Sequence, residues 1–324
     1  PSNSPSNSPS NLPSNSPSNS LSPSQSDAPL SSILPIEDVC KTGSSCSFEG
    51  SVENQILVTI NKTDFSNVQN GDDGGAIRLH NAGIMASNIS FKSCQSKSGG
   101  GGAIYVNNDN AKINNVVRFE NVFLSNCRAS YGGAVYLYSL SEDQPVEVLK
   151  CHFTNNQADS SSGHSSHLSG GRAVFLAARR SLIVECDFLR NIGENQLKIF
   201  NHFTDSSPSS SLTLSSADLL DSERKNRPTS VVKYCRFDID RHSKSSVFYL
   251  AGNKGTLCVL RNSVFVGDLN AGSYHIDGDV IADKTLKLAV EFCKFSTDYD
   301  RSFNFAKSKN YVAAVASKQV FNYN

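Results

Sequence analysis

Two short strand signatures alternate along this chain in constant phase, about once every 30 residues, and that recurrence restricts the fold more than any other feature. One signature is a small-residue turn feeding a strand: Gly74-Gly75-Ala76-Ile77, Gly101-Gly102-Ala103-Ile104, Gly132-Gly133-Ala134-Val135 and the altered Gly170-Gly171-Arg172-Ala173-Val174. The other ends in a Phe with Cys two positions before it, at Cys151-His152-Phe153, Cys186-Asp187-Phe188, Cys235-Arg236-Phe237 and Cys293-Lys294-Phe295. Phe65, Phe91, Phe123 and Phe265 occupy the same place without that Cys. Successive gaps between the eight Phe are 26, 32, 30, 35, 49, 28 and 30 residues, and from Phe65, Phe91 and Phe123 to the next Gly-Gly-Ala alanine is 11, 12 and 11. A unit this short cannot bury its apolar face alone, so neighbouring units must stack.

Short strands at this period, with Gly and Asn at the corners and no 3.6-residue pattern between them, predict an all-β chain. The expected architecture is a right-handed parallel β-helix, a pectin-lyase-like solenoid of about eight coils, because parallel crossovers are almost always right-handed. At ~4.8 Å per coil the stack would measure on the order of 40 Å. A propeller needs about four strands per 40 to 45 residues, more than these units hold, and the spacing of a leucine-rich repeat is missing. Residues 1–39 are expected to be a disordered tether, since the first 26 hold 12 Ser, 6 Pro and 5 Asn and no charge. The solenoid domain is expected over 40–324, with loops at 160–169 and at the Ser-rich 205–230.

Alternation assigns the faces. In the Gly-Gly-Ala strands Ile77/Leu79, Ile104/Val106, Val135/Leu137 and Val174/Leu176 are expected inside. Ala76/Arg78, Ala103/Tyr105, Ala134/Tyr136 and Ala173/Phe175 are expected outside, because an unpaired Arg78 guanidinium does not suit a narrow interior. In the Cys-x-Phe strands the middle residue is always polar, which places Cys151, Cys186, Cys235 and Cys293 inside with the Phe. The alternation slips at Lys233 and Glu291, where a bulge or strand start is expected. Equivalent thiols one coil apart are too far apart for an unstrained disulfide and read as a buried stack of small hydrophobes, with Cys94 and Cys127 in a second such place. No C-x-x-C or compact Cys/His group suggests zinc, and no cofactor is expected. Cys40 and Cys46 are the candidates for a cap disulfide in an oxidising compartment. Asn126, Asn156 and Asn191 recur just after the Phe and are expected to form a turn ladder from coil to coil.

The 30 basic and 30 acidic side chains cancel, which argues against nucleic acid as a partner. No apolar run approaches the roughly 20 residues of a membrane-spanning helix. Residue 1 is Pro and the only Met is Met85, and Tyr311 to Val320 still has strand character, so the natural protein is expected to extend at both ends.

The Gly-Gly-Ala-Ile tetrapeptides at 74–77 and 101–104, with Phe-x-x-Asn at Phe123, Phe153 and Phe188, resemble the paired repeat of chlamydial polymorphic outer membrane proteins. Similar repeats occur in surface-protein families of parasitic protists. The resemblance covers residues 58–195 well and 231–315 only through the Cys-x-Phe strands and fragments such as Gly272-Ser273-Tyr274-His275-Ile276. It implies a β-helix displayed outside the cell, on the surface or secreted, often as an adhesin. The membrane barrel of the bacterial family is missing from this chain, so autotransport is not supported. Asn61-Lys62-Thr63 and Asn88-Ile89-Ser90 match the N-glycosylation acceptor, making Asn61 and Asn88 candidates.

The same coil shape also serves enzymes acting on polysaccharides, which need clustered carboxylates. Only Asp72-Asp73 offers an adjacent acidic pair near a strand, and an ordinary turn explains it. His164 and His167, in a Ser-rich stretch, read as a solvated loop, and His275 with Asp277 as structural. The favoured binding feature is an outward ladder of Arg78, Tyr105, Tyr136 and Phe175, whose exposed rings would suit a glycan or an apolar patch on a partner or host protein. The expected function is non-enzymatic display and adhesion; the alternative is a polysaccharide lyase or hydrolase with an unrecognised site. Neither the ligand nor the oligomeric state is legible.

Overall fold

The computed structural model describes residues 32–35, 44–51, 54–110, 115–141, 144–159, 170–201, 229–238, 246–252, 257–267, 275–280, 287–296, 303–304 and 312–316. Every element among them is a strand, and every paired ladder is parallel. The chain alternates between two long sheets, with a short third sheet added in four passes between Gln69 and Ala158, so equivalent strands pair from one pass to the next. The chain is thus all-β with long parallel sheets, an arrangement consistent with a β-solenoid.

The strands after the Gly-Gly-Ala turns form a nine-stranded sheet running from Cys46–Glu49 through Ile77–His80, Ile104–Asn108, Val135–Ser139 and Val174–Ala178 to Phe303–Asn304. A sixteen-stranded sheet carries two arms of each pass. Gly83–Lys92 and Val117–Ser125 run continuously through both arms, whereas other passes divide, as in Val146–Leu149 and His152–Thr154. Two-residue strands such as Gln95–Ser96 and Arg128–Ala129 make a four-stranded third sheet.

Left-handed residues bend the backbone where the two arms meet. Lys62, Asn88, Asn121, Lys150, Glu185, Tyr234, Asn262 and Phe292 all have φ between 49° and 57°, one in each of eight successive passes. The slips expected at Lys233 and Glu291 are these bends: each residue directly precedes a left-handed one. At the Gly-Gly-Ala corner the two glycines do different jobs. Gly101 takes φ 65°, which only Gly adopts freely. Gly102 has φ outside that region, but a Cβ there would sit 2.3 Å from the carbonyl oxygen of Gly133 in the next pass. Ala76, Ala103, Ala134 and Ala173 follow at the corner and are buried in the main core, not outward as alternation predicts, because the turn carries them inside.

The inner column behind the second arm contains Phe65, Phe91, Leu124, Phe153, Phe188, Phe237, Phe265 and Phe295. Ring centroids of neighbouring Phe lie 4.7 to 4.9 Å apart with planes within 17° of parallel. Phe123, expected in this column, is 46% exposed. Leu124 pairs in register with both Phe91 and Phe153 and takes its place. After the left-handed Asn121, Val122 faces in, Phe123 out and Leu124 in, matching Ile89, Ser90 and Phe91 one pass earlier. A one-residue slip exchanges the faces, and two adjacent apolar residues hide the slip from a sequence reading. Phe123 to Ser, which gives up a stack on His152 at 4.7 Å, is expected to cost about 1 kcal/mol or less, whereas Leu124 to Ala costs about 2–5 kcal/mol; urea denaturation of both variants checks this.

Cys151, Cys186, Cys235 and Cys293 are buried in one column as expected, with Ser263 in the intervening pass. They are free thiols, as are Cys94, Cys127 and Cys258. Burial pushes Cys258 up to about 12 and Cys293 up to about 11, so both stay protonated and apolar near neutral pH. Cys46 is disulfide-bonded; its expected partner, Cys40, lies outside the described residues.

Cys94 and Cys127 begin another column, which Asn156 and Asn191 continue. Asn156 Oδ1 accepts from the Cys127 amide at 2.9 Å, and its Nδ2 donates to Leu124 O at 3.0 Å and Asn191 Oδ1 at 3.0 Å. The expected ladder is therefore present at Asn156 and Asn191 but not at Asn126, which stands one position earlier, exposed, at φ 54°.

Two boundaries differ from expectation. Ser32–Pro35, inside the predicted tether, pairs in parallel with the Ile56–Asn61 strand. Thr229 and Ser230, expected to end the Ser-rich loop, already belong to the strand Thr229–Lys233.

Candidate functional site

Parallel register carries one residue of each pass into a straight outward row on the nine-stranded sheet: Ser47, Arg78, Tyr105, Tyr136, Phe175, Lys198, Tyr249 and Asp277. The four predicted ladder residues are therefore consecutive. Tyr105 and Tyr136 stack with centroids 4.9 Å apart, and Tyr136 and Phe175 at 4.8 Å, with planes within 9° of parallel. Tyr131 meets Tyr136 edge-on at 5.1 Å.

The row is not the exposed aromatic platform that alternation predicts. Tyr136 is 7% exposed and Phe175 0%, as members of a second apolar cluster outside the strands with Tyr131, Ala177, Phe200 and Ala251. Arg78 is exposed and Tyr105 half-buried, leaving these two of the four accessible. Burial raises the Tyr105 phenol to about 12, helped by the Asp73 carboxylate, and raises Tyr131 and Tyr136 further. These hydroxyls are therefore neutral hydrogen-bonding groups at physiological pH.

Lys198 continues the row. Its ammonium lies 5.0 Å from the centre of the Tyr249 ring, and burial pushes its pKa down to about 8 against the opposing pull of Glu194. Its strand lacks a Gly-Gly-Ala turn, so the sequence provides no marker of its register. Arg172, in the altered Gly170-Gly171-Arg172 corner, replaces the second corner glycine, and its buried guanidinium donates through Nη1 to Asn191 O at 3.1 Å.

Asp73 has a structural employment at the corner. Its Oδ1 accepts from the Gly100 amide at 2.7 Å and from the Tyr131 hydroxyl at 3.2 Å, tying three passes together. Asp72 is exposed and contributes its backbone carbonyl to Ser96 Oγ at 2.5 Å. The pair thus forms a hydrogen-bonded turn. His164 and His167 lie outside the described residues. His275 is buried against the rings of Phe265 and Phe295, each 5.5 Å away, while Asp277 accepts from Ser246 Oγ at 3.2 Å, so the two do not act as a unit. Among the described residues, no group of three or more His, Cys, Asp or Glu is placed to hold a metal ion.

Asn61 and Asn88 are both exposed and belong to an amide ladder. Asn88 Nδ2 donates to Asn61 Oδ1 at 3.3 Å, and Asn121 Nδ2 donates to Asn88 Oδ1 at 2.7 Å. N-glycosylation takes place at Nδ2, so a sugar on Asn88 would sit on the nitrogen that donates to Asn61, whereas Asn61 enters the ladder through Oδ1.

Comparison of the chain with protein-family models, curated proteins and solved structures finds no match.

Proposed function

We propose that this chain is a right-handed parallel β-helix that works outside the cell as a display and adhesion protein, not as an enzyme. The observation that carries this reading is the parallel register of the stack, which sets the outward side chains of successive passes in straight rows one strand spacing apart, with Arg78 and Tyr105 accessible in one of them. Such rows make a stiff, repetitive face suited to a repetitive partner. The right hand follows from the near-universal chirality of parallel crossovers. The Cys46 disulfide supports an oxidising compartment, on the surface or secreted, because such bonds are rare where glutathione keeps thiols reduced. The engagement of Asp73 by Gly100 and Tyr131 argues against its use as a catalytic carboxylate. The proposed kinship is with chlamydial polymorphic outer membrane repeats and the related protist surface proteins, and the proposed partner is a glycan or a protein of a host or neighbouring cell.

The accessible end of the aromatic row, Arg78 and Tyr105, is the face to test. Binding of the chain to glycan arrays and to cultured cells is expected to fall about tenfold in Arg78→Ser/Tyr105→Ser. That factor corresponds to about 1.4 kcal/mol of binding free energy. Unchanged binding by a folded variant removes this face from the proposal. Release of oligosaccharides from a polysaccharide, abolished in Asp73→Asn, would instead establish the lyase or hydrolase alternative.

A further inference from the structure

The bend between the two arms carries a second surface, independent of the Arg78–Tyr105 face. The left-handed positions there are held in six passes by polar residues: Lys62, Asn88, Asn121, Lys150, Glu185 and Asn262. Two passes depart from this pattern. Tyr234, at φ 57°, is 54% exposed, and Phe292, at φ 53°, is 69% exposed. A bulky aromatic residue in the left-handed region is a conformational outlier, and asparagine adopts it more readily. Burial does not compensate either ring. Backbone strain retained without a packing gain points toward a function at that position.

The two rings also have a defined separation. The Tyr234 amide donates to Arg261 O at 3.1 Å, and the Asn262 amide donates to Glu291 O at 2.9 Å, so Tyr234, Asn262 and Phe292 stand in successive passes. Two strand spacings separate the aromatic positions by about 9.6 Å. That matches the length of one disaccharide in an extended glycan, with Asn262 between to offer an amide to the intervening sugar. Flat aromatic rings supply apolar faces for the C–H faces of pyranose rings.

Charged rows flank these positions. On one side the outward residues are Lys233, Arg261 and Glu291; on the other they are Arg236, Val264 and Lys294. Arg261 Nε donates to Glu291 Oε2 at 2.6 Å, and Nη2 also pairs with that oxygen. Among the described residues around the bend in these three passes, the four cationic side chains Lys233, Arg236, Arg261 and Lys294 stand with two carboxylates, Asp238 and Glu291, which leaves a formal charge of two positive. Glu185 and Asp187 stand one pass earlier, and Asp238 further along the second arm, bounding the positive surface.

We propose that Tyr234, Asn262 and Phe292, with Lys233 and Arg236, form a binding site for an extended acidic glycan with a charged disaccharide repeat, its chain running across successive passes. The aromatic residues set the register of the sugars, and the cations select for negative charge. This site stands whether or not the Arg78–Tyr105 face binds anything.

The test uses Tyr234→Asn/Phe292→Asn, which installs the residue the fold already uses at three equivalent positions, and Lys233→Glu/Arg236→Glu as a charge variant. Heparin and hyaluronan are the acidic probes and a cello-oligosaccharide the neutral one, with affinity measured by titration calorimetry at two salt concentrations. The unaltered chain is expected to bind an acidic probe more weakly at higher salt. The asparagine variant is expected to lose at least tenfold in affinity with its unfolding midpoint unchanged or raised, and the charge variant to lose binding and its salt dependence. Absence of binding to both acidic probes, equal binding of the neutral probe, or unaltered affinity in the folded asparagine variant would overturn the proposal.

Discussion

Phe188 to Ala is expected to lower the unfolding free energy by about 3–5 kcal/mol, the range for emptying a buried aromatic site. Phe188 is fully buried, with Phe153 stacked 4.9 Å away on one side and Phe237 4.8 Å away on the other. Stacked passes meet only their neighbours, so the space cannot be filled from elsewhere in the core. Phe188 to Leu should cost much less, about 1.5 kcal/mol or under, for a swap between large apolar side chains. Leu124 already holds the equivalent place between Phe91 and Phe153. Urea midpoints of the two variants provide the measurement; equal losses, or a loss below about 1 kcal/mol for alanine, would show that the rings do not form the continuous inner column.

The second large effect is a dependence on pH at His275. This side chain is buried between Phe265 and Phe295, neither ring nitrogen has a hydrogen-bond partner, and burial lowers its pKa from 6.5 to about 4. The neutral imidazole is therefore favoured in the folded chain, whereas the unfolded chain takes up a proton below about pH 6.5. Between these values the unfolded state binds more protons, so stability falls as pH drops from 6.5 to 4 and then levels off for this group. Two and a half pKa units at 1.36 kcal/mol each make the loss about 3 kcal/mol. His275 to Leu should remove that part of the acid sensitivity and raise stability at neutral pH by eliminating two unpaired polar atoms from the core. Denaturation at pH 7.5 and pH 4 compares the two chains; parallel pH dependence in both would rule out His275 as the source.

The predicted ladder residues share a row as alternation expects, but Tyr136 and Phe175 within it are covered. Arg78, Tyr105, Tyr136 and Phe175 do stand in one outward row, because strand alternation and parallel register depend on local geometry. Their exposure does not: Phe175 faces outward and is still fully buried within the second apolar cluster. Alternation specifies the side of a sheet from which a residue projects, but not what lies above it. The aromatic pair at Tyr234 and Phe292 escaped the sequence reading for the opposite reason. Each adjoins Lys233 or Glu291, where the alternation was seen to slip, but only the backbone angles identify the slip as a left-handed bend that turns an aromatic side chain outward.

The sequence by itself determined the period, the parallel stacking of equivalent strands and the inward columns of cysteine and phenylalanine, since each follows from residue types recurring at constant spacing. The tertiary structure alone decided that Leu124 and not Phe123 fills the inner column, that Asn156 and Asn191 extend the column begun by Cys94 and Cys127, and that His275 is enclosed without polar partners. Those outcomes depend on where the backbone enters the left-handed region and on which passes meet in space. Both are set by contacts roughly 30 residues apart along the chain, beyond the reach of the two-residue alternation from which a strand is read.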